Sequence, residues 1–161
     1  MNWQQLWKAS EHYAAGSPSI PTAGAPSQHL AIVTCMDARI DPVAVFGLQL
    51  GQAHVMRNAG GRVSEDVIRS LAVSQGALGT RAILLMMHTR CGMLGFDPAS
   101  LKAPRAGAEA MDFLPLVSLE GGLREDLAKL RESPWIHPDT AIAGCIFDVD
   151  TGRVIPFQPA N

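Results

Sequence analysis

Apolar residues along this chain gather into short continuous runs, separated by segments whose apolar positions recur at helical spacing. His29 to Thr34 is a run of strand length, Ala53 to Arg57 reads as a second strand, and Arg81 to Met87 as a third. The third is apolar on both faces, which suits a central strand of a parallel sheet. Between the first two, Asp41-Pro42 makes a helix opening, Asp as N-cap and Pro in the first turn, leading into Val43-Ala44-Val45-Phe46. Ser64 then caps a helix whose Val67, Ile68, Leu71 and Leu78 fall at helical spacing and which ends at Gly79. Leu119, Leu123, Leu127 and Leu130 align along a helix from Leu116 to Arg131, weakened at its start by Gly121-Gly122 and stopped by Pro134. Thr140 to Val149 and Arg153 to Phe157 flank Asp150-Thr151-Gly152, a hairpin turn.

Strand–helix alternation of this kind predicts an α/β fold with a mainly parallel central sheet flanked by helices and an antiparallel C-terminal edge strand. Residues 97 to 116 carry Pro98, Pro104 and Pro115 and read as irregular cover. An N-terminal helix over residues 2 to 14 puts Trp3, Leu6 and Trp7 on one side and runs into a stretch of helix breakers, Gly16 through Pro26. A helix so short needs something to lie on, its own core or a second subunit. The expected organisation is a single domain over residues 1–161, an N-terminal arm (1–27) and an α/β core (28–161).

Composition sharpens the picture by exclusion. The chain is 47% hydrophobic and 17% charged, as expected of a packed globular domain, and its formal charge of −2 offers no attraction to nucleic acid or an anionic membrane. The most apolar run, Ile83 to Met87, is too short to span a bilayer, and the first residues lack the basic and apolar regions of a signal peptide. Three widely spaced cysteines, Cys35, Cys91 and Cys145, are no disulfide framework, so a cytoplasmic location is the default expectation.

The chemistry collects at two strand ends, where ligands of open parallel sheets bind. The first strand runs out into Cys35-Met36-Asp37-Ala38-Arg39 and the third into His88-Thr89-Arg90-Cys91-Gly92. Cys35 with His88-x-x-Cys91 is a suitable Zn²⁺ set, and three protein ligands leave a fourth tetrahedral position open, the mark of a catalytic site. Water there is acidified to a nucleophile usable near neutral pH. If the segment after the first strand stays extended, Cys35, Asp37 and Arg39 project to one side. Arg39 then holds Asp37 as a carboxylate, which either orients the nucleophile or takes the fourth zinc position and shuts the site.

Other readings of the same residues are weaker. Cys145, midway along an apolar strand, reads as a small buried hydrophobe. His12, His29 and His137 lack neighbouring ligands, and the charges of the last helix read as a solvated face, as does Arg90. A phosphatase-type Cys-x₅-Arg loop fails because position 41 is Asp41. A Cys35–His88 nucleophile pair leaves Cys91, Asp37 and Arg39 without a role, and a thiol redox pair lacks the C-x-x-C spacing.

Cys35-x-Asp37-x-Arg39, Arg57-Asn58-Ala59-Gly60 and His88-x-x-Cys91-Gly92, in this order between Gln28 and Leu94, resemble the signature of the β-class carbonic anhydrases. The resemblance implies a zinc enzyme that interconverts carbon dioxide and bicarbonate, with Cys35, His88 and Cys91 on the metal and Asp37 and Arg39 as catalytic dyad. It implies a homodimer or an assembly of dimers, the N-terminal helix lying on the neighbouring subunit, and a substrate pocket beside His54, Ala59 and Gly60. Pro26 stands where the plant-like branch has a glutamine, His54 where it has a pocket phenylalanine, and Met93 replaces a second glycine. These departures look like a small-chain bacterial branch that also contains hydrolases of carbonyl sulfide and carbon disulfide, the alternative substrates. A non-catalytic zinc-binding or zinc-sensing protein is the alternative from another class. Thiolate ligands make zinc a weaker Lewis acid than a three-histidine site, so activity is expected to favour alkaline pH.

Overall fold

Why each element starts where it does is visible at its first residue. In the computed structural model, which describes residues 2–16, 20–102 and 111–158, Asp41 accepts hydrogen bonds from the backbone N–H groups of Val43 and Ala44 and opens helix α2 (Pro42–Val45). Ser64 does the same for Val67 at the start of α3 (Glu65–Gly76), and Ser118 for Gly121 at the start of α4 (Leu119–Glu132). Helix α3 stops at Gly76, short of the expected Gly79. Gly79 instead adopts φ +76°, a left-handed turn that feeds the chain into the next strand. The predicted cover between 97 and 116 keeps a single 3₁₀ turn, Pro98–Ser100, among its described residues, and residues 103–110 lie outside them.

Among the described residues five strands form one sheet: β1 (Leu30–Cys35), β2 (Ala53–Asn58), β3 (Ala82–His88), β4 (Ala141–Phe147) and β5 (Val154–Phe157), in the order β2-β1-β3-β4-β5. All pairs are parallel except β4–β5, so the mainly parallel sheet with an antiparallel edge is as expected, and β3 is its central strand. The chain goes from β1 to β2 on one side, then crosses to β3 on the other. The carboxyl ends of β1 and β3 therefore flank the topological switch point, where the diverging connections leave a crevice.

Helix α4 packs its leucines on β3 and β4, and Leu123, Leu127 and Leu130 are buried. Of the two glycines that looked like a weakness, Gly122 serves this packing. A Cβ at Gly122 would overlap the side chain of Leu116, and one at Gly144 on β4 would lie 2.9 Å from Leu127 Cδ1. Asp126, on the same helix, is fully buried, which corrects the expectation of a uniformly solvated charged face. Its position three residues after Leu123 and four before Leu130 places it inside the leucine stripe.

Among the described residues, helix α1 (Trp3–Gly16) has none that is buried. Trp3 and Trp7 stack on each other, ring centroids 6.2 Å apart, yet stay 70% and 62% exposed. Among the described residues no helix is long and apolar enough to cross a membrane.

Candidate active site

Because β1 and β3 are hydrogen-bonded neighbours, with Thr34 opposite Met86, their last residues Cys35 and His88 emerge side by side. The short turn after β3 folds Cys91 back onto them. One ligand atom from each of the three buried residues lies within 4.8 Å of the others. The two sulfurs are 4.0 Å apart, near the ~3.8 Å edge of a tetrahedron with Zn–S bonds of about 2.3 Å. A carbonyl can only accept, so the 2.9 Å contact with Thr89 O fixes the proton of His88 on Nδ1. The lone pair is thereby left on Nε2. That atom is buried and, among the described residues, is the single buried side-chain nitrogen or oxygen without a hydrogen-bond partner. A buried imidazole nitrogen without a partner, facing two thiols, fits a zinc ligand, oriented by a carbonyl on its other nitrogen.

The three side chains are also coupled electrostatically. Hydrogen bonding from Cys91 lowers the Cys35 thiol against the cost of burial, helped by His88 and the backbone N–H groups of Asp37 and Gly60. Cys91, the other half of the pair, is raised by that same bond and by burial. Burial alone would depress His88, but the proximity and charge of Cys35 outweigh it and raise it.

Asp37 and Arg39 sit at the mouth of this cluster. The segment between them is a turn rather than the extended strand expected, closed by Ile40 N–H on Asp37 O at 3.1 Å. A turn brings the two side chains together more directly than an extension does. Arg39 donates from Nε to Asp37 Oδ1 at 2.9 Å and from Nη2 to Oδ2 at 2.6 Å, and its backbone N–H adds a bond to Oδ1 at 3.0 Å. These bonds hold the Asp37 carboxyl well below the usual carboxylate range. Asp37 Oδ2 remains 3.8 Å from His88 Nε2, so in this arrangement it is paired with Arg39 and faces the cluster without closing it.

Several supporting residues escape a reading by motif chemistry. Arg57, at the end of β2, donates from Nε to Cys35 O at 3.0 Å and from Nη2 to Asp37 O at 2.6 Å, clamping the backbone between Cys35 and Asp37. Asn58 bridges the backbone N–H and C=O of Arg62, shaping the 3₁₀ turn Ala59–Gly61. Gly61 has φ +65°, and a Cβ there would lie 2.8 Å from Cys35 N and Thr34 C, so this turn packs directly on the end of β1. Arg62 is buried and bonds Asp126 twice, Nε–Oδ2 at 2.7 Å and Nη2–Oδ1 at 3.1 Å, locking the turn to α4. Arg90, expected in solvent, keeps an exposed side chain but pairs with Asp150 at 2.9 Å.

Of the expected pocket residues, Ala59 and Gly60 follow β2 directly into the site, and Gly60 packs within 3.2 Å of Met93 through the position a Cβ would take. His54 does not join them. It pairs in register with Ala31, four residues before Asn58 meets Cys35, and both ring nitrogens are engaged, Nδ1 by Ser74 Oγ at 2.7 Å and Nε2 by Gly24 O at 2.9 Å. Within this chain His54 ties the arm to the body. Cys145 is buried in mid-strand, raised by desolvation, as a small core side chain should be.

Comparison with known proteins bears on this constellation. The profile of the carbonic anhydrase family matches residues 30–114. The chain is 42% identical over 153 residues to the protein called β-carbonic anhydrase 1 of Mycobacterium tuberculosis, covering 91% of this chain and 92% of that one. A carbon disulfide hydrolase of an Acidianus species is 32% identical over 158 residues, 80% of this chain and 76% of that protein. Among solved structures, the carbonic anhydrase of Streptococcus mutans superposes with a TM-score of 0.87 at 42% identity, covering 98% of this chain and 99% of that one.

Proposed function

This chain belongs to the β-carbonic anhydrase family, and from that membership we propose that it catalyses the reversible hydration of carbon dioxide to bicarbonate at Cys35, His88 and Cys91. The carrying observation is the unpartnered, buried His88 Nε2 between two thiols, with an Arg39-held carboxylate 3.8 Å away. Zinc on these three ligands supplies the Lewis acid that makes water nucleophilic near neutral pH. The chain's own residues do the rest. Asp37, kept ionised by Arg39, accepts the nucleophile's O–H hydrogen bond and turns an oxygen lone pair toward the substrate carbon. As the new C–O bond forms, one C=O π pair of carbon dioxide moves to oxygen, bicarbonate leaves, and the proton that water lost in becoming the nucleophile passes to solvent or buffer. Arg57 fixes the backbone on which both Cys35 and Asp37 ride. Ala59 and Gly60 border the space in which the substrate sits.

Stopped-flow hydration at mildly alkaline pH tests the reading, comparing zinc-replete with chelator-stripped protein. Asp37→Asn should retain one zinc per chain and lose about 100-fold or more in kcat. A fully active Asp37→Asn enzyme would remove the dyad from the mechanism.

A second reading keeps the site and changes the substrate. Carbonyl sulfide and carbon disulfide are linear and electrophilic at carbon, and the Acidianus relative is a carbon disulfide hydrolase. The higher identity and coverage of the β-carbonic anhydrase relative favour carbon dioxide. Release of hydrogen sulfide from either substrate, with no carbon dioxide hydration, would reverse the preference. A storage or sensing protein would have no use for the Asp37–Arg39 pair.

The reading includes a cytoplasmic homodimer or assembly of dimers. Helix α1 offers an apolar face that no described residue of its own chain buries. A groove of about 1260 Å³ lies between α3 and α4, with Val63, Ile68, Val73, Pro134 and Trp135 in its lining. A second copy's α1 is the occupant that satisfies both surfaces. Light scattering should give a dimer that Trp3→Ala with Trp7→Ala weakens; a monomeric wild type would refute it.

A further inference from the structure

The turn between the two β3-side ligands is gripped from outside the site. Thr89 N–H donates to Phe147 O at 2.9 Å, Thr89 Oγ1 donates to Asp148 Oδ1 at 3.3 Å, and Val149 N–H donates to Thr89 Oγ1 at 3.0 Å. Asp148 is itself fixed by Asp150 N–H at 2.9 Å and Thr151 Oγ1 at 2.8 Å. The end of β4 and the hairpin that follows thus hold one threonine at three points. The next residue, Arg90, has φ +54°, a left-handed conformation that a non-glycine residue adopts only when its surroundings impose it.

Two carbonyls leave this turn toward the site. Thr89 O receives His88 Nδ1 at 2.9 Å, and Arg90 O receives Arg39 Nη2 at 3.1 Å. The peptide planes that carry them are joined by the torsions of Arg90 alone. The left-handed Arg90 therefore sets the angle between the carbonyl that orients the imidazole and the carbonyl that orients the guanidinium. We propose that Thr89 and Arg90 are positioning residues, a backbone clamp through which the β4–β5 hairpin aligns His88 and the Arg39–Asp37 pair together. The clamp rests on the metal-site reading above and adds to it a role for the two positions that the His88-x-x-Cys91 motif leaves open.

Paired variants test it. Thr89→Val keeps the side-chain volume and removes the hydroxyl, whereas Thr89→Ser keeps the hydroxyl. Zinc affinity, read by competition with a chromophoric chelator, should fall about tenfold in Thr89→Val. In carbon dioxide hydration, its kcat should fall with KM little changed. Thr89→Ser should recover most of both losses. Arg90→Val and Arg90→Asn both remove the pairing with Asp150, but only asparagine tolerates the left-handed conformation. The valine variant should bind zinc about tenfold more weakly than the asparagine variant. Equal zinc affinity and equal kcat in the two Arg90 variants would overturn the proposal. In the zinc-loaded wild type, nitrogen-15 NMR of the histidine rings should show a slowly exchanging proton on His88 Nδ1. Rapid exchange there would overturn the clamp without any variant having to fold. A wild type that binds zinc, shows the protected proton and leaves carbon dioxide unhydrated would refute the reaction and leave the clamp standing.

Discussion

Replacing Asp126 by asparagine should cost this fold more than any exposed charge change, because the carboxylate is fully buried and serves four donors. Oδ2 accepts from Arg62 Nε at 2.7 Å and Val63 N–H at 3.0 Å; Oδ1 accepts from Arg62 Nη2 at 3.1 Å and Lys129 Nζ at 3.2 Å. Asparagine has one acceptor oxygen, so whichever way it turns, its NH₂ group faces two donors. Removing one partner of a buried ion pair costs about 3–5 kcal/mol. Arg62 keeps the carbonyls of Leu114 and Pro115 and the Glu125 carboxylate, which places the expectation near the lower end, about 3 kcal/mol. For a chain of this length that is a fall in Tm of roughly 6–12 °C. Glu125→Gln provides the control. Glu125 pairs with the same arginine at 3.0 Å, but its side chain is 56% exposed, and its loss should cost under about 1 kcal/mol. Urea unfolding of both variants, zinc-loaded and at matched protein concentration, measures the difference. Equal losses in the two would mean that burial of the Arg62–Asp126 pair is not what locks the Ala59–Gly61 turn to α4.

Gly61→Ala should also destabilise, by roughly 2–4 kcal/mol, since it adds a left-handed alanine to a steric conflict with backbone. The conflict is with Cys35 N and Thr34 C, so zinc affinity should fall with stability; an alanine variant of wild-type Tm and zinc affinity would contradict the close packing. Burial pushes the Cys145 thiol from 9.0 up to about 11. Its folded-state value is raised, so its contribution is fully present below pH 9 and is lost as pH climbs toward 11, where only the unfolded chain ionises readily. Cys145→Ala should therefore lose stability less steeply than wild type between pH 9 and 11 in chemical unfolding; parallel curves would show that the thiol is not desolvated in the native strand.

The sheet was legible because its signals are local. Continuous apolar runs, capping residues and a hairpin turn each belong to a few neighbouring residues, and β1, β2, β3 and β4–β5 fall where those runs fall. Strand order is not local, and nothing in a run such as Ala53 to Arg57 says that it lies on the far side of β1 from β3. The same limit explains His54. Its family-based placement in a pocket assumed proximity to Ala59, but a strand rises about 3.3 Å per residue. That separation leaves His54 at the other end of β2, where Ser74 and the arm's Gly24 carbonyl engage it. Asp126 was readable in principle, as the charged residue inside a leucine stripe, and such a position implies a buried partner.

The site divides along a chemical line. The candidate metal ligands and the Asp37–Arg39 pair are legible because the chemistry proposed for them requires particular side chains: a thiolate, an imidazole, a carboxylate and a guanidinium. What holds them is mostly main chain. His88 is oriented by the carbonyl of Thr89, Arg39 by that of Arg90, and Cys35 by the N–H groups of Asp37 and Gly60. Every residue carries a carbonyl and nearly every one an N–H, so no residue type announces these contacts. They are specified instead by the torsions at Arg90, Gly60 and Gly61, all at positive φ. Glycine at least marks such torsions in a sequence, and the Gly60-Gly61 turn could have been found that way. Arginine marks nothing, and the Thr89 that precedes it is held by residues some sixty positions downstream. A motif therefore lists the atoms that react, while the long-range contacts that aim them emerge only once β4 has been laid beside β3.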